Sequence, residues 1–301
     1  MIEHGGRIFA DYKLRPFSFA KRLIRNRFAD ESEIFIVYGT PAGIGKSAYV
    51  NYVLADVYGY LNCHDKDLVQ YMWNDKPSPE TQVWELDWEA VKQRVFYPPE
   101  EVVDKCLHML DHDVVDVAFH WDDAGTWLYI MEWHDPFVIA FMEYLGLIRG
   151  NWKGGVILST PIKEWILKKL QAAEGILQIQ ITKPRSGGDE RYVFKPRVAR
   201  CYEKQRYPGS VKAYYPQRFE DQFIAIMPDP FFKDWYEPRR RKYGLVAALK
   251  MKLAIQKRKA KGWDTSEAEQ VYGEMREQIE DANSKAVELR EAVFQKTQVA
   301  H

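Results

Sequence analysis

Cysteine is scarce. Cys63, Cys106 and Cys201 are the only three in 301 residues, and no two form a CxxC pair. That spacing excludes a disulfide framework and a zinc knuckle, and suits a reducing, cytoplasmic setting. The N-terminus lacks the apolar stretch of a signal peptide. Long uncharged runs are missing as well. The most apolar stretch, 126–148, holds Glu132, His134, Asp135, Pro136 and Glu143, so it reads as a buried helix and not a membrane span. Net charge is zero, with 43 basic and 43 acidic side chains. Disorder is excluded by the 14% of aromatic residues and the 46% hydrophobic content.

The zero net charge conceals a strong asymmetry. Residues 60–135 carry 17 acidic against 5 basic side chains, and residues 191–261 carry 19 basic against 6 acidic. Residues 262–301 turn acidic again, 9 against 4. Charge segregated in this way points to regions that meet different partners, or each other.

Three apolar runs read as strands. Glu33–Tyr38 (EIFIVY) leads into a glycine-bearing loop, and from Gly45 the pattern turns helical through Ala48, Val50, Val53, Leu54 and Val57. Pro98, Pro99, Glu100 and Glu101 open a further helix, with proline and acid in its first turn. Residues 114–121 form a second strand ending in Asp122 and Asp123. Residues 155–158 form a third, ending in Ser159 and Thr160 and feeding a helix to about Leu170. Strands alternating with helices predict a parallel sheet flanked by helices.

After residue 183 the chain changes character. Short strand-like runs at 191–194, 198–202, 211–215 and 223–226 predict a small, basic, β-rich extension, followed by a helix over 242–259. Leucines 245, 249 and 253 share one face of that helix and lysines the other. The expected domains are therefore 1–183, 184–261 and a long C-terminal helix over 262–301. The last opens with the capping box Ser266 to Glu269. It keeps apolar residues at both seam positions of four heptads, from Ala268 to Val293. Such a helix either packs on its own domain or forms a coiled coil between chains.

The chemistry centres on residues 39–47, Gly-Thr-Pro-Ala-Gly-Ile-Gly-Lys-Ser. A phosphate loop needs small residues so that backbone N–H groups can curl around an anion. It also needs a lysine for the phosphate oxygens and a hydroxyl for magnesium. Gly43, Ile44, Gly45, Lys46, Ser47 and Ala48 supply these parts. The GxxxxGK[ST] pattern places its first glycine at 40, where this chain has Thr40, with Gly39 one place early. Asp122 would orient Mg²⁺ and Asp123 would act as base toward water. Ser159 or Thr160, closing the next strand, could contact a γ-phosphate; Thr160 is the first choice. His120 reads as a packed strand residue.

Strand–GxGKS–helix, then strand–Asp–Asp, then strand–Ser–Thr resembles the additional-strand branch of P-loop NTPases, which includes AAA+ proteins, helicase loaders and RecA-like motors. The resemblance covers residues 33–183, and Asp122-Asp123 followed by Ala124 and Gly125 is similar to the loader and initiator type. The overall composition also looks like ATPases of archaeal plasmids and viruses. The resemblance implies ATP and Mg²⁺ as ligands, with Lys46, Ser47 and Asp122 binding them. It also implies catalysis by Asp123 and Thr160, and homo-oligomers completed by an arginine in trans, Arg149 first and Arg185 second. ATP over GTP rests on that likeness and on the lack of an NKxD motif.

A basic run follows at Arg239, Arg240, Arg241 and Lys242, continuing through Lys250, Lys257 and Arg258, with Phe231, Phe232, Trp235, Tyr236 and Tyr243 close by. Cations release counterions from phosphates and aromatics stack on unpaired bases, which fits DNA. A solvated helix face, or one docking onto the acidic 60–135 region, would carry the same residues. The expected function is ATP hydrolysis coupled to DNA binding or remodelling. The alternative is a nucleotide-switched assembly protein whose residues 264–301 bind a protein partner. A nucleotide kinase fits less well, for no arginine-rich lid is evident.

Overall fold

Two short strands, β1 (Ile2–His4) and β2 (Arg7–Phe9), pair as an antiparallel hairpin ahead of α1 (Ser18–Phe28). Then come β3 (Glu33–Tyr38), α2 (Lys46–Leu61), α3 (Trp88–Lys92), β4 (Val95–Phe96), α4 (Pro99–Asp111) and β5 (Asp116–Trp121). The chain continues through α5 (Pro136–Leu145), β6 (Trp152–Thr160), β7 (Ile176–Thr182), β8 (Arg197–Glu203), β9 (Gln205–Arg206), β10 (Ala213–Tyr214) and β11 (Gln217–Phe223). A π-helical segment (Phe232–Tyr236) precedes α6 (Glu237–Ala260). This computed structural model describes residues 2–4, 7–9, 17–40, 43–62, 84–128, 136–145, 151–166, 170, 175–183, 196–206 and 213–261. One compact unit covers Met1–Tyr236 and a second covers Glu237–His301.

The chain is α/β. Its main sheet has seven strands in the order β11-β8-β7-β3-β6-β5-β4. β3 pairs in parallel with β6 on one side and β7 on the other, so Ile36 lies between Leu158 and Gln178. β5 and β4 extend the parallel part, while β8 and β11 add antiparallel strands beyond β7. A sheet covered by helices asks for strands that are apolar on both faces, and Phe35, Ile36 and Val37 are all fully buried. Each such side chain contributes about 1.5–3 kcal/mol by leaving water.

α2 is buried all round: every residue over 48–60 is buried. Most of its buried polar groups find hydrogen-bond partners. Asp56 accepts from the Phe17 N–H at 3.0 Å and from the Trp84 indole at 3.1 Å. The Tyr58 hydroxyl donates to Asp116 at 2.6 Å, and Arg94 holds the same carboxylate at 2.9 Å while lying 3.9 Å above the Tyr58 ring. These links fix α2 against β5, the two elements that carry the candidate site.

Of the runs expected after residue 183, β8 and β11 continue the central sheet, whereas β10 pairs with β9 in a separate two-stranded sheet, and the first compact unit runs to Tyr236. The strand expected at 223–226 runs instead over Gln217–Phe223, an edge strand with only alternate residues buried. After β6 the structure describes a 3₁₀ turn, Lys163–Trp165, and Leu170 as helical, while residues 167–169 of the expected helix lie outside the described residues. The strand expected at 191–194 and the C-terminal helix over 262–301 lie outside the described residues. Among the described residues no helix is long and apolar enough to cross a membrane.

Candidate nucleotide-binding site

The loop after β3 meets its neighbours closely. A Cβ on Gly39 would stand 2.6 Å from the Ile181 carbonyl oxygen, so the early glycine lets β3 leave the sheet tight against β7. Gly45 has φ +103° and caps α2; a Cβ there would stand 2.5 Å from the Ala225 Cβ. Both the dihedral and the contact require glycine at this position. Arg197, buried on β8, donates to the Ile44 carbonyl at 3.3 Å and braces the loop from the sheet side.

No side chain caps the start of α2. A helix entered through such a loop directs its first amides and its positive dipole end toward an anion. Lys46 is 7% exposed, and its ammonium donates to the Gly39 carbonyl at 3.4 Å, folded across the loop. Ser47, one residue on, donates its hydroxyl to Asp122 Oδ1 at 2.8 Å, joining positions 75 residues apart.

Asp122 is the hub. Ser159 donates to its Oδ1 at 2.6 Å, the Asp123 N–H donates to the same atom at 3.1 Å, and Tyr236 donates to Oδ2 at 2.7 Å. Burial opposes its ionisation, but the neighbouring His120 and the hydroxyls of Ser159, Tyr236 and Ser47 outweigh that cost. The Asp122 carboxyl is held below its ordinary value and is ionised at neutral pH. Asp123, with φ +52°, turns the chain out of β5 and starts a 3₁₀ turn over Ala124–Thr126. Its N–H also lies 3.2 Å from the Ser159 hydroxyl.

Strand alternation separates the Ser159 and Thr160 side chains. Neighbouring residues of a strand face opposite ways, and the Ser159 hydroxyl faces Asp122 while Thr160 donates to the Ile162 carbonyl at 3.0 Å. The residue at the carboxylate is thus Ser159, not Thr160. Arg149 and Arg185 lie outside the described residues.

His120 is fully buried with Nδ1 3.0 Å from Asn51 Oδ1 and Nε2 3.5 Å from Asp122 Oδ1. Burial pushes its pKa below the ordinary 6.5, against the pull of Asp122. The fold resists protonation of this imidazole, whereas the unfolded chain protonates it below about pH 6.5. More protons then bind the unfolded state, so stability falls as pH drops from 6.5 toward the folded-state value. The melting temperature is expected to fall between pH 7.5 and 5.5, and His120→Gln to flatten that slope. Equal slopes in the two proteins would contradict this.

A cavity of about 430 Å³ opens over the carboxyl ends of β3, β6 and β7, lined by Tyr38, Thr40, Ile44, Pro161, Lys163 and Thr182 among others. It shares Gly39, Thr40 and Ile44 with the loop. Ligands of open α/β sheets bind at this end of the strands.

In the second unit, Arg240, Arg241 and Lys242 are exposed, and Arg241 pairs with Glu237 at 2.9 Å. Arg239 is half-buried; Lys250, Lys257 and Arg258 lie further along α6. Two aromatics expected to stack on bases do not face solvent: Phe231 and Tyr236 are buried, and Tyr236 instead serves Asp122. Arg197 is a site residue that the sequence reading does not name, and Tyr236 is one that it assigns to DNA instead. No local pattern marks either one.

No protein-family model matches the chain, and no curated protein matches it.

Proposed function

We propose that the chain binds ATP at residues 43–48 and hydrolyses it with Mg²⁺. The observation that carries this reading is the 2.8 Å hydrogen bond from Ser47 to Asp122, which brings the loop and the acidic strand end together. A hydroxyl and an ionised carboxylate form the hard oxygen pair that Mg²⁺ takes, usually alongside waters and phosphate oxygens. The strand order adds support. β6 stands between the loop strand β3 and the carboxylate strand β5, the order that the resemblance to the additional-strand branch implies.

In this reading the amides at 43–47 and the N-terminal end of α2 hold the β-phosphate. Lys46 exchanges its Gly39 carbonyl for phosphate oxygens. Bound Mg²⁺, held by Ser47 and Asp122, would neutralise charge on the β- and γ-oxygens. Ser159 fixes the Asp122 carboxylate and meets the Asp123 amide, and so sets the angle at which the Asp123 side chain meets an attacking water. Asp123 accepts the proton of that water. The cavity beside Tyr38 and Lys163 takes the nucleoside.

Tyr236 competes for the same carboxylate. Removing its hydroxyl leaves Asp122 Oδ2 without a donor that a metal-bound water would have to displace. Tyr236→Phe is expected to lower the Mg²⁺ concentration needed for half-maximal hydrolysis several-fold. It should also cost about 1.5–3 kcal/mol of stability, the usual worth of a hydrogen bond to a charged group. An unchanged Mg²⁺ titration would contradict the competition.

Hydrolysis is coupled to DNA in this proposal, with Arg240, Arg241 and Lys242 meeting phosphates. An ATPase assay with and without Mg²⁺ and single- or double-stranded DNA tests it. Mg²⁺-dependent turnover raised by DNA is expected, with binding that weakens steeply with salt. Turnover indifferent to DNA, with no DNA binding at low salt, would remove the DNA half and leave the nucleotide half standing.

A further inference from the structure

Away from the nucleotide site, the first unit presents an apolar groove. α4 buries Val102, Cys106 and Met109, yet it carries a second apolar row of Val103, Leu107 and Leu110, exposed by 39%, 53% and 54%. With Ala140, Phe141 and Tyr144 of α5, this row lines a cavity of about 220 Å³ whose walls are almost wholly apolar. Its surroundings are acidic: Glu100, Asp104 and Asp111 on α4 and Glu143 on α5 are all exposed.

α6 carries the complementary surface. Leu245, Leu249 and Leu253 recur every four residues and are exposed by 49%, 55% and 56%. One row of a helix repeats at this spacing. Cations adjoin the row: Arg241 and Lys242 lie four and three residues before Leu245, and Lys252 lies three after Leu249, all of them exposed. Three leucines half in water on a soluble helix mark an interaction face. The charges around them are opposite in sign to those around the groove.

We propose that α6 of one copy of this chain lays its leucine row in the α4–α5 groove of a second copy, basic flanks against acidic rim. An amphipathic helix seated in a hydrophobic groove is a recurrent mode of recognition. The donor and acceptor surfaces differ, so the contact is head-to-tail, and each copy can give and receive at once. Such contacts build rings or open chains rather than a two-fold dimer. The contact also gives a physical use to the charge segregation between residues 60–135 and 191–261. It does not depend on the nucleotide reading, and it places Arg241 and Lys242, which the DNA reading gives to phosphates, against the acidic rim.

Light scattering on the full chain and two variants tests the contact. Leu107→Asp spoils the groove and leaves the leucine row intact; Leu249→Asp does the reverse. The wild-type chain is expected to exceed monomer mass at low salt and to lose association as salt rises. Each variant alone should weaken self-association at least about tenfold, as loss of a central apolar anchor does. An equimolar mixture of the two variants should recover a heterodimer, because one intact groove meets one intact row. Both substituted positions are exposed, and matching melting curves establish that the variants fold; Leu110→Lys and Leu253→Glu replace any that do not. A wild-type chain that stays monomeric overturns the proposal, as does a groove variant that associates like wild type through α6 paired with α6. Folded variants that fail to combine overturn it as well.

Discussion

Lys46→Ala is expected to lower ATP turnover at least about a hundredfold while leaving the fold intact. The lysine is the one cation of the loop, and its ammonium lies over the Gly39 carbonyl at 3.4 Å, within side-chain reach of any phosphate the loop amides hold. Removing a charge aimed at the transferring phosphoryl group costs roughly 2.7–4 kcal/mol of transition-state stabilisation, by analogy with loss of a single oxyanion donor. Stability should hardly change. Lys46 is 7% exposed, so the substitution gives up its hydrogen bond to Gly39 and also removes a charge that was costly to bury. A coupled phosphate-release assay beside a melting curve separates these effects. Turnover near the wild-type rate would refute the assignment of the loop.

The second large effect falls on Asp122, where function and stability are joined. Asp122→Ala removes the acceptor of Ser47, Ser159, Tyr236 and the Asp123 N–H in one step. Buried donors left without a partner cost about 1–3 kcal/mol each before relaxation. An overall loss of about 3–5 kcal/mol is expected, the range found on breaking a buried charged cluster. Asp122→Asn keeps an acceptor oxygen and should recover most of that stability, but not hydrolysis, since a neutral amide is a poor Mg²⁺ ligand. Denaturant midpoints and turnover measured on both variants decide the matter. If Asp122→Asn hydrolyses ATP as the wild type does, Asp122 is only a structural hub.

The core of this arrangement was legible in the sequence because it is local. The run EIFIVY is β3 to the residue, and the glycine loop that follows opens α2 at Lys46, one place from the expected Gly45. Asp122 and Asp123 end the next apolar strand as expected, and Ser47 meets the first of them. What the sequence left open depended on phase and on distance. Ser159 and Thr160 are equivalent as letters; only the register of β6 against β3 and β5 aims one of them at Asp122. β11 was misplaced because an edge strand needs few apolar residues, and its Arg218, Glu220 and Gln222 read as loop. Strand-like runs do not declare which sheet they join, so β8 and β11 looked like an appendage. Tyr236 reaches Asp122 from 114 residues away, and Asp221 caps the start of α1 from β11 through the Ser18 and Phe19 amides. Contacts of that separation have no signature in a single chain.

The carboxylate and the lysine at the centre of the candidate site both have partners within the chain. The carboxylate that would face magnesium is satisfied by three hydroxyls and an amide. The lysine that would face phosphate rests on a carbonyl. Ligand binding must displace these partners, so affinity reports the difference between two sets of bonds, not the gross strength of one.

Calorimetric titration of the full chain with ATP, in the presence and absence of Mg²⁺, tests the central claim most directly. Saturable binding at one site per chain is expected, tightened by Mg²⁺ in the wild type, abolished in Lys46→Ala and insensitive to Mg²⁺ in Asp122→Asn. A chain that binds no nucleoside triphosphate, or that binds ATP equally well after Lys46→Ala, would contradict it.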